Sequence, residues 1–113
     1  MSGRTHARSV AVVTGAGSGI GRAVAKRLFA RGLDVALLGR TEATLEETAW
    51  ELLDGATHGR ALVIPCDVSK VAEVEHAQER VLGELGVPAV VVNNAGVVTR
   101  ARIEDTTDDD WRT

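Results

Sequence analysis

Tyrosine is absent from this chain of 113 residues, phenylalanine and cysteine occur once each, and proline occurs twice. The solitary Cys66 excludes a disulfide framework and fits a reducing compartment such as the cytoplasm. His6, His58 and His76 hold no ligand spacing with one another or with Cys66. A zinc site, which needs three or four convergent ligands, is therefore not expected, and no metal is. Lysine is nearly missing too, present only as Lys26 and Lys70. Neither sign of charge dominates: the formal net charge is -3, which offers nothing to draw in nucleic acid. No apolar run approaches the length of a membrane span, so no membrane partner is expected. The basic opening MSGRTHAR is followed by an apolar run that glycines break too soon for a signal peptide.

What remains is ordinary globular material, 44% hydrophobic and 26% charged, and its length suits one domain. The apolar runs alternate with helical patterns. SVAVV at residues 9–13 is a continuous apolar stretch, as a strand covered on both faces requires. Beyond the glycines, Ile20, Val24 and Leu28 recur every four residues, which predicts a helix with that stripe inward and Gly32 at its end. DVALLG at residues 34–39 predicts a second strand. Thr41 then suits the cap of a helix whose inner face is Leu45, Ala49, Leu52 and Leu53, closed by Gly55. RALVIPC at residues 60–66 predicts a third strand. Ser69 suits the cap of a third helix carrying Val71, Val74, Val81, Leu82 and Leu85 and ending near Gly86. PAVVVN at residues 88–93 predicts a fourth strand. The acidic EDTTDDD near the end suits the start of another helix, with Trp111 packing beside it. Strands and helices in strict alternation imply right-handed crossovers, hence a parallel sheet with helices on both faces.

TGAGSGIG, at residues 14–21, sits at the first strand-to-helix turn and carries glycine at every second position from Gly15. Glycine costs backbone entropy and adds nothing to a core. Its use here is to let main chain approach something closely. A helix N-terminus offers unpaired N–H groups and partial positive charge, which attract phosphate. The G-x-G-x-x-G fingerprint fails, because its sixth position counted from Gly15 is Ile20, and the G-x-x-x-x-G-K-[ST] loop fails for want of its lysine. The pattern present is T-G-x-x-x-G-I-G. A glycine-rich turn without a ligand is the alternative reading.

With CDVS at residues 66–69 and NNAG at residues 93–96, each after its own strand, the chain resembles the short-chain dehydrogenases/reductases along nearly its whole length. The resemblance implies a Rossmann-type, doubly wound α/β sheet of strand order 3-2-1-4, truncated, in which residues 1–113 are the N-terminal part of a longer nicotinamide-binding domain. It implies that Gly15, Ser18, Gly19, Ile20 and Gly21 line the pyrophosphate and its ribose. It implies that Asp67 accepts a hydrogen bond from the adenine amino group beside a backbone contact from Val68, and that Asn94, Ala95 and Gly96 wall the adenosine ribose. Asn93 and Asn94 have an alternative reading, as amides pairing backbone groups at the strand end. The ends of the first and fourth strands are neighbours in such a sheet, and open α/β folds bind ligands in that crevice.

At the end of the second strand, LLGR puts Gly39 where NAD-binding members of the resembled family carry aspartate, with Arg40 next. A carboxylate would repel a 2′-phosphate, whereas a guanidinium binds it with charge-assisted hydrogen bonds. NADP preference is expected, with Arg40 as determinant and Thr41 as second contact; NAD is the less favoured cofactor. The alternative is that Arg40 is a solvated residue opening a helix. Ser18 departs from the basic residue that some NADP-using relatives place before the second glycine.

Carbonyl reduction by a nicotinamide also needs a proton for the developing alkoxide. In the resembled family a tyrosine in Tyr-x-x-x-Lys supplies it, with a serine orienting the carbonyl. This chain has no tyrosine, so no catalytic residue is assigned. The expectation is the cofactor-binding part of an NADP-dependent oxidoreductase that interconverts a carbonyl and a secondary alcohol, inactive by itself and homo-oligomeric at full length. Its fourth strand would present an apolar edge that limits the stability of the isolated chain. A non-catalytic NADP(H)-binding module or redox sensor is the rival reading, and an epimerase or dehydratase on an extended form of the fold ranks below both.

Overall fold

The structure is a computed structural model that describes residues 8–94. It contains, in order, β1 (Val10–Thr14), α1 (Gly19–Ala30), β2 (Asp34–Gly39), α2 (Glu42–Leu53), β3 (Ala61–Pro65), α3 (Val71–Glu84) and β4 (Pro88–Val92). All pairings are parallel and the strand order is β3-β2-β1-β4, as expected. Val12 of β1 stands between Ala36 of β2 and Val91 of β4, and the β1–β4 register shifts between Val10 and Ala11.

Between their polar ends, Thr14 and Asp34, the central strands are continuously apolar because both of their faces are covered. Alternate residues sort between two cores. Ala11, Val13, Val35 and Leu37 pack with Ala25 and Phe29 of α1 and with Leu45, Ala49 and Leu52 of α2. Val10, Val12, Ala36 and Leu38 face the other way, onto Ile64, Cys66 and the Ala77 and Val81 positions of α3. Burying each such valine or leucine is worth roughly 1.5–3 kcal/mol.

Three sequence expectations need correction. The inward stripe of α1 is Gly21, Ala25 and Phe29, with Val24 and Leu28 at its margin; Ile20 is 72% exposed. Small residues face the sheet so that the helix can lie close to it, which turns the bulky Ile20 outward. Leu53 of α2 and Val71 and Leu82 of α3 are likewise exposed, while Thr48 and Gln78 are buried. Ser69 does not cap α3, whose cap position is Lys70. Its hydroxyl and N–H both go to Asp67 instead, because that carboxylate is two residues away and completes a local turn. Thr41 does occupy the cap position of α2, although its side chain makes no capping bond. Gly32 ends α1 as expected: its N–H bonds Phe29 O and the Leu33 N–H bonds Leu28 O, with Gly32 at φ 101°.

The readings made for His6, Ala95, Gly96, EDTTDDD and Trp111 lie outside the described residues. Among the described residues, no helix is long and apolar enough to cross a membrane, and no cluster of metal-ligating side chains occurs.

Candidate functional site

The carboxyl ends of all four strands open on one cavity of about 830 Å³, within the usual range of roughly 300–1,000 Å³ for small-molecule sites. Its wall includes Gly15, Gly17 and Ser18 after β1, Gly39 and Arg40 after β2, Asp67 and Val68 after β3, and Asn93 and Asn94 after β4. Residues scattered over eighty positions of sequence thus meet because parallel strands all end on the same side.

The glycine turn is shaped by two requirements. Gly15 and Gly19 have φ of 62° and 57°, in the left-handed region that side chains disfavour. Space around a Cβ at Gly19 is open, with no atom within 4 Å. Gly21 answers a different need: a Cβ there would be driven into the carbonyl oxygen of Gly15 and would lie 2.9 Å from Nδ2 of Asn94. Helix and turn are packed main chain to main chain at that point, with the Asn94 side chain beside them. The turn is also hung on β2 by a 3.0 Å bond from the Ala16 N–H to Leu38 O.

Helix α1 then begins with no side-chain cap and no acidic residue in its first turn, whereas α2 and α3 start with Glu42 and Glu73 in theirs. The first N–H groups of a helix have no intrahelical partner. At α1 neither a capping side chain nor a carboxylate answers them, and the partial positive charge faces the cavity. A phosphate-bearing ligand fits such a cradle on physical grounds.

On the far wall, Oδ1 of Asp67 accepts the Ser69 hydroxyl at 2.7 Å and the Ser69 N–H at 3.0 Å. Those two bonds, hydroxyl first, hold the carboxyl below its ordinary pKa, and the charges of Arg40 and Lys70 act in the same direction. Asp67 is therefore an anion at neutral pH with one oxygen committed to Ser69. The Asp67 N–H is in turn taken by Glu73 Oε1 at 2.7 Å. Arg40 is exposed on the cavity rim and makes no hydrogen bond or ion pair among the described residues. A Cβ at Gly39 would press to 3.1 Å on Cδ2 of Leu45, so the leucine fills the place a longer side chain would take. Cys66 is buried within the wall, and burial, followed by the nearby Glu73 and Asp67 charges, pushes its thiol pKa up. It packs as a small residue of the core.

Of the residues expected at the site, Gly15, Ser18, Arg40, Asp67, Val68 and Asn94 line the cavity, while Gly19, Ile20 and Gly21 open the helix beside it. Three residues went unassigned by the sequence. Thr14 accepts the Asn94 N–H at 2.7 Å, with Asn93 Oδ1 at 3.1 Å as acceptor for its proton; a hydroxyl residue closing an apolar strand was the available signal. Thr48 and Arg22, which grip the back of the glycine turn, left no such signal.

The family model for short chain dehydrogenases matches residues 9–113. The chain belongs to that family. A hexahydro-indene-carboxyl-CoA reductase of Mycobacterium tuberculosis is 38% identical over 109 residues, covering 96% of this chain and 41% of the relative. Among solved structures, L-sorbose reductase of Gluconobacter frateurii, complexed with NADPH and L-sorbose, superposes with a TM-score of 0.74 at 32% identity, over 94% of this chain and 40% of that one. A 3-ketoacyl-(acyl-carrier-protein) reductase of Brucella melitensis, complexed with NADH, gives 0.71 at 36% identity over 90% and 40%. The chain thus spans about two fifths of the length of these relatives. As a member of this oxidoreductase family it shares the fold of relatives whose structures hold NADPH in one case and NADH in the other.

Proposed function

We propose that this chain is the cofactor-binding part of an NADP-dependent oxidoreductase that interconverts a carbonyl and a secondary alcohol. The observation that carries the reading is the bare N-terminus of α1. It is reached through left-handed Gly15 and Gly19, lacks a carboxylate in its first turn, and opens on a cavity rimmed by Arg40.

In this reading the first N–H groups of α1, from Gly19, Ile20 and Gly21, receive the diphosphate, and the Ser18 hydroxyl bonds the adjoining ribose. The oxygen of Asp67 left free by Ser69 accepts the adenine amino group, with Val68 backbone beside it, and Asn94, Ala95 and Gly96 wall the ribose. Arg40 meets the 2′-phosphate with charge-assisted hydrogen bonds, seconded by Thr41. The absence of a carboxylate at Gly39 supports the same preference, since an acid there would repel that phosphate. When bound, the nicotinamide supplies or accepts a hydride. The residues of this chain bind and orient the cofactor, and with no tyrosine among them they do not include the tyrosine proton donor of the resembled family. The lone, buried Cys66 supports a reducing compartment such as the cytoplasm.

Calorimetric titration with NADPH and NADH tests the reading. Tight NADPH binding that falls in Arg40→Ala, with NADH affinity unchanged, is the expected result. No heat from either nucleotide on folded protein overturns it, and an unaltered NADPH-to-NADH ratio in the variant removes the assignment of Arg40.

A further inference from the structure

The carbonyls of the glycine turn are bonded from behind by side chains of two helices. Oγ1 of Thr48, on α2 and 0% exposed, donates to Ala16 O at 2.8 Å. Nη2 of Arg22, on α1, donates to Gly17 O at 2.6 Å. The two side chains are joined, since Nε of Arg22 donates to Thr48 Oγ1 at 2.8 Å. Arg22 is itself held by Glu51 at 3.1 Å and Glu47 at 3.3 Å, and its Nη2 also reaches Thr44 O at 3.3 Å.

A peptide unit has a negative and a positive end, so a turn offers N–H groups to an anion only while its carbonyls point away from it. Ala16 is fully buried, and among the described residues its oxygen loses its partner if the Thr48 hydroxyl is removed. A peptide freed in this way can rotate its oxygen toward the cavity, where it repels phosphate. The same bonds tie the turn to α2, which follows directly on Arg40 and Thr41. They therefore couple the diphosphate end of the cavity to its 2′-phosphate end.

We infer that Thr48 and Arg22 are positioning residues for cofactor binding: they preset the glycine turn with its N–H groups toward the diphosphate, without touching the ligand. The inference rests on the dinucleotide reading above. Preorganisation of this kind raises affinity by removing an ordering cost at binding, and losing one such bond is worth about tenfold.

The test is calorimetry with NADPH and with ADP on the intact protein that bears this chain. Thr48→Val keeps the shape and removes the hydroxyl; it is expected to weaken both ligands about tenfold. Thr48→Ser keeps the hydroxyl and sheds a methyl group, and is expected to stay within about twofold of wild type. Should the valine variant fail to fold, Arg22→Met, at a side chain 24% exposed, carries the same test through Gly17 O. A folded Thr48→Val or Arg22→Met protein that binds NADPH as tightly as wild type overturns the inference alone. So does a Thr48→Ser protein as weak as Thr48→Val, because packing and not the hydroxyl would then be responsible. A wild-type protein that binds neither NADPH nor NADH overturns the dinucleotide reading and this inference with it.

Discussion

The hydroxyl of Thr14 and the main-chain N–H of Asn94 lie 2.7 Å apart although eighty residues of sequence separate them. This bond fastens the end of β4 to the end of β1, at the point where the cavity opens. Replacing Thr14 by valine leaves the Asn94 N–H without its acceptor in a part-buried setting. A loss of about 1–3 kcal/mol is expected from such an unsatisfied donor, readable as a lower urea midpoint with an unchanged denaturant slope. An unchanged midpoint would mean that the strand ends are held by the sheet alone.

Gly21 and Gly19 separate packing from binding. In Gly21→Ala the new methyl group meets the backbone of Gly15, which cannot swing aside as a side chain would. Loss of stability by several kcal/mol is expected, of the order that overpacking causes at its upper end, about 3 kcal/mol or more. Gly19→Ala finds open space and carries a left-handed cost of only about 1–2 kcal/mol. Its larger effect is expected on NADPH affinity, measured by titration at a temperature where both variants are folded. Equal affinities for wild type and Gly19→Ala would place the diphosphate elsewhere.

Arg40→Ala is expected to weaken NADPH by about ten- to a hundredfold, the value of a hydrogen bond to a charged group, and to leave NADH within about twofold. Raising the salt concentration should narrow the wild-type difference, because Arg40 is exposed and its attraction is screened.

Asp67 gives a pH dependence with a definite sign. Its folded carboxyl titrates below its ordinary value, chiefly through the Ser69 hydroxyl and N–H. The stabilisation is therefore present above the unfolded pKa and fades as pH falls through the folded one. In Ser69→Ala the carboxyl should titrate higher, which carboxylate NMR shifts can follow, and acid unfolding should begin at a higher pH. A titration curve for Asp67 identical in the two proteins would show that Ser69 does not hold the anion.

Cys66 should resist alkylation in the folded state. Burial keeps the thiol protonated, and the thiolate is the reactive form. Labelling with a thiol reagent at neutral pH is expected to follow unfolding, so that addition of denaturant releases it. Rapid labelling of the native protein would contradict the burial of this position.

The strand-helix alternation was legible in the amino-acid sequence because it follows from local features, whereas the strand order 3-2-1-4 was implied by the family resemblance. Continuous apolar runs, glycines at turns and the short motifs after each strand all act within a few residues of themselves. Helix faces were less legible. The four-residue spacing of Ile20, Val24 and Leu28 suits an inward stripe, yet close approach to the sheet favours Gly21 and Ala25, and Ile20 faces out. Ser69 looks like a cap until Asp67 competes for it.

By itself, then, the sequence determined that four parallel strands end around a glycine turn with Arg40 and Asp67 on its flanks, since hydrophobic period and turn chemistry are properties of neighbours. Only the tertiary structure decided how that turn is held. Thr14 to Asn94, Thr48 to Ala16 and Arg22 to Gly17 or Thr48 are bonds between segments that folding brings together. Three of the four span at least 26 residues, and the other, Arg22 to Gly17, bends a helix side chain back over its own turn. A threonine inside a helix carries no mark of the carbonyl it will meet, because that partner is chosen by how helices pack and not by which residues lie beside it.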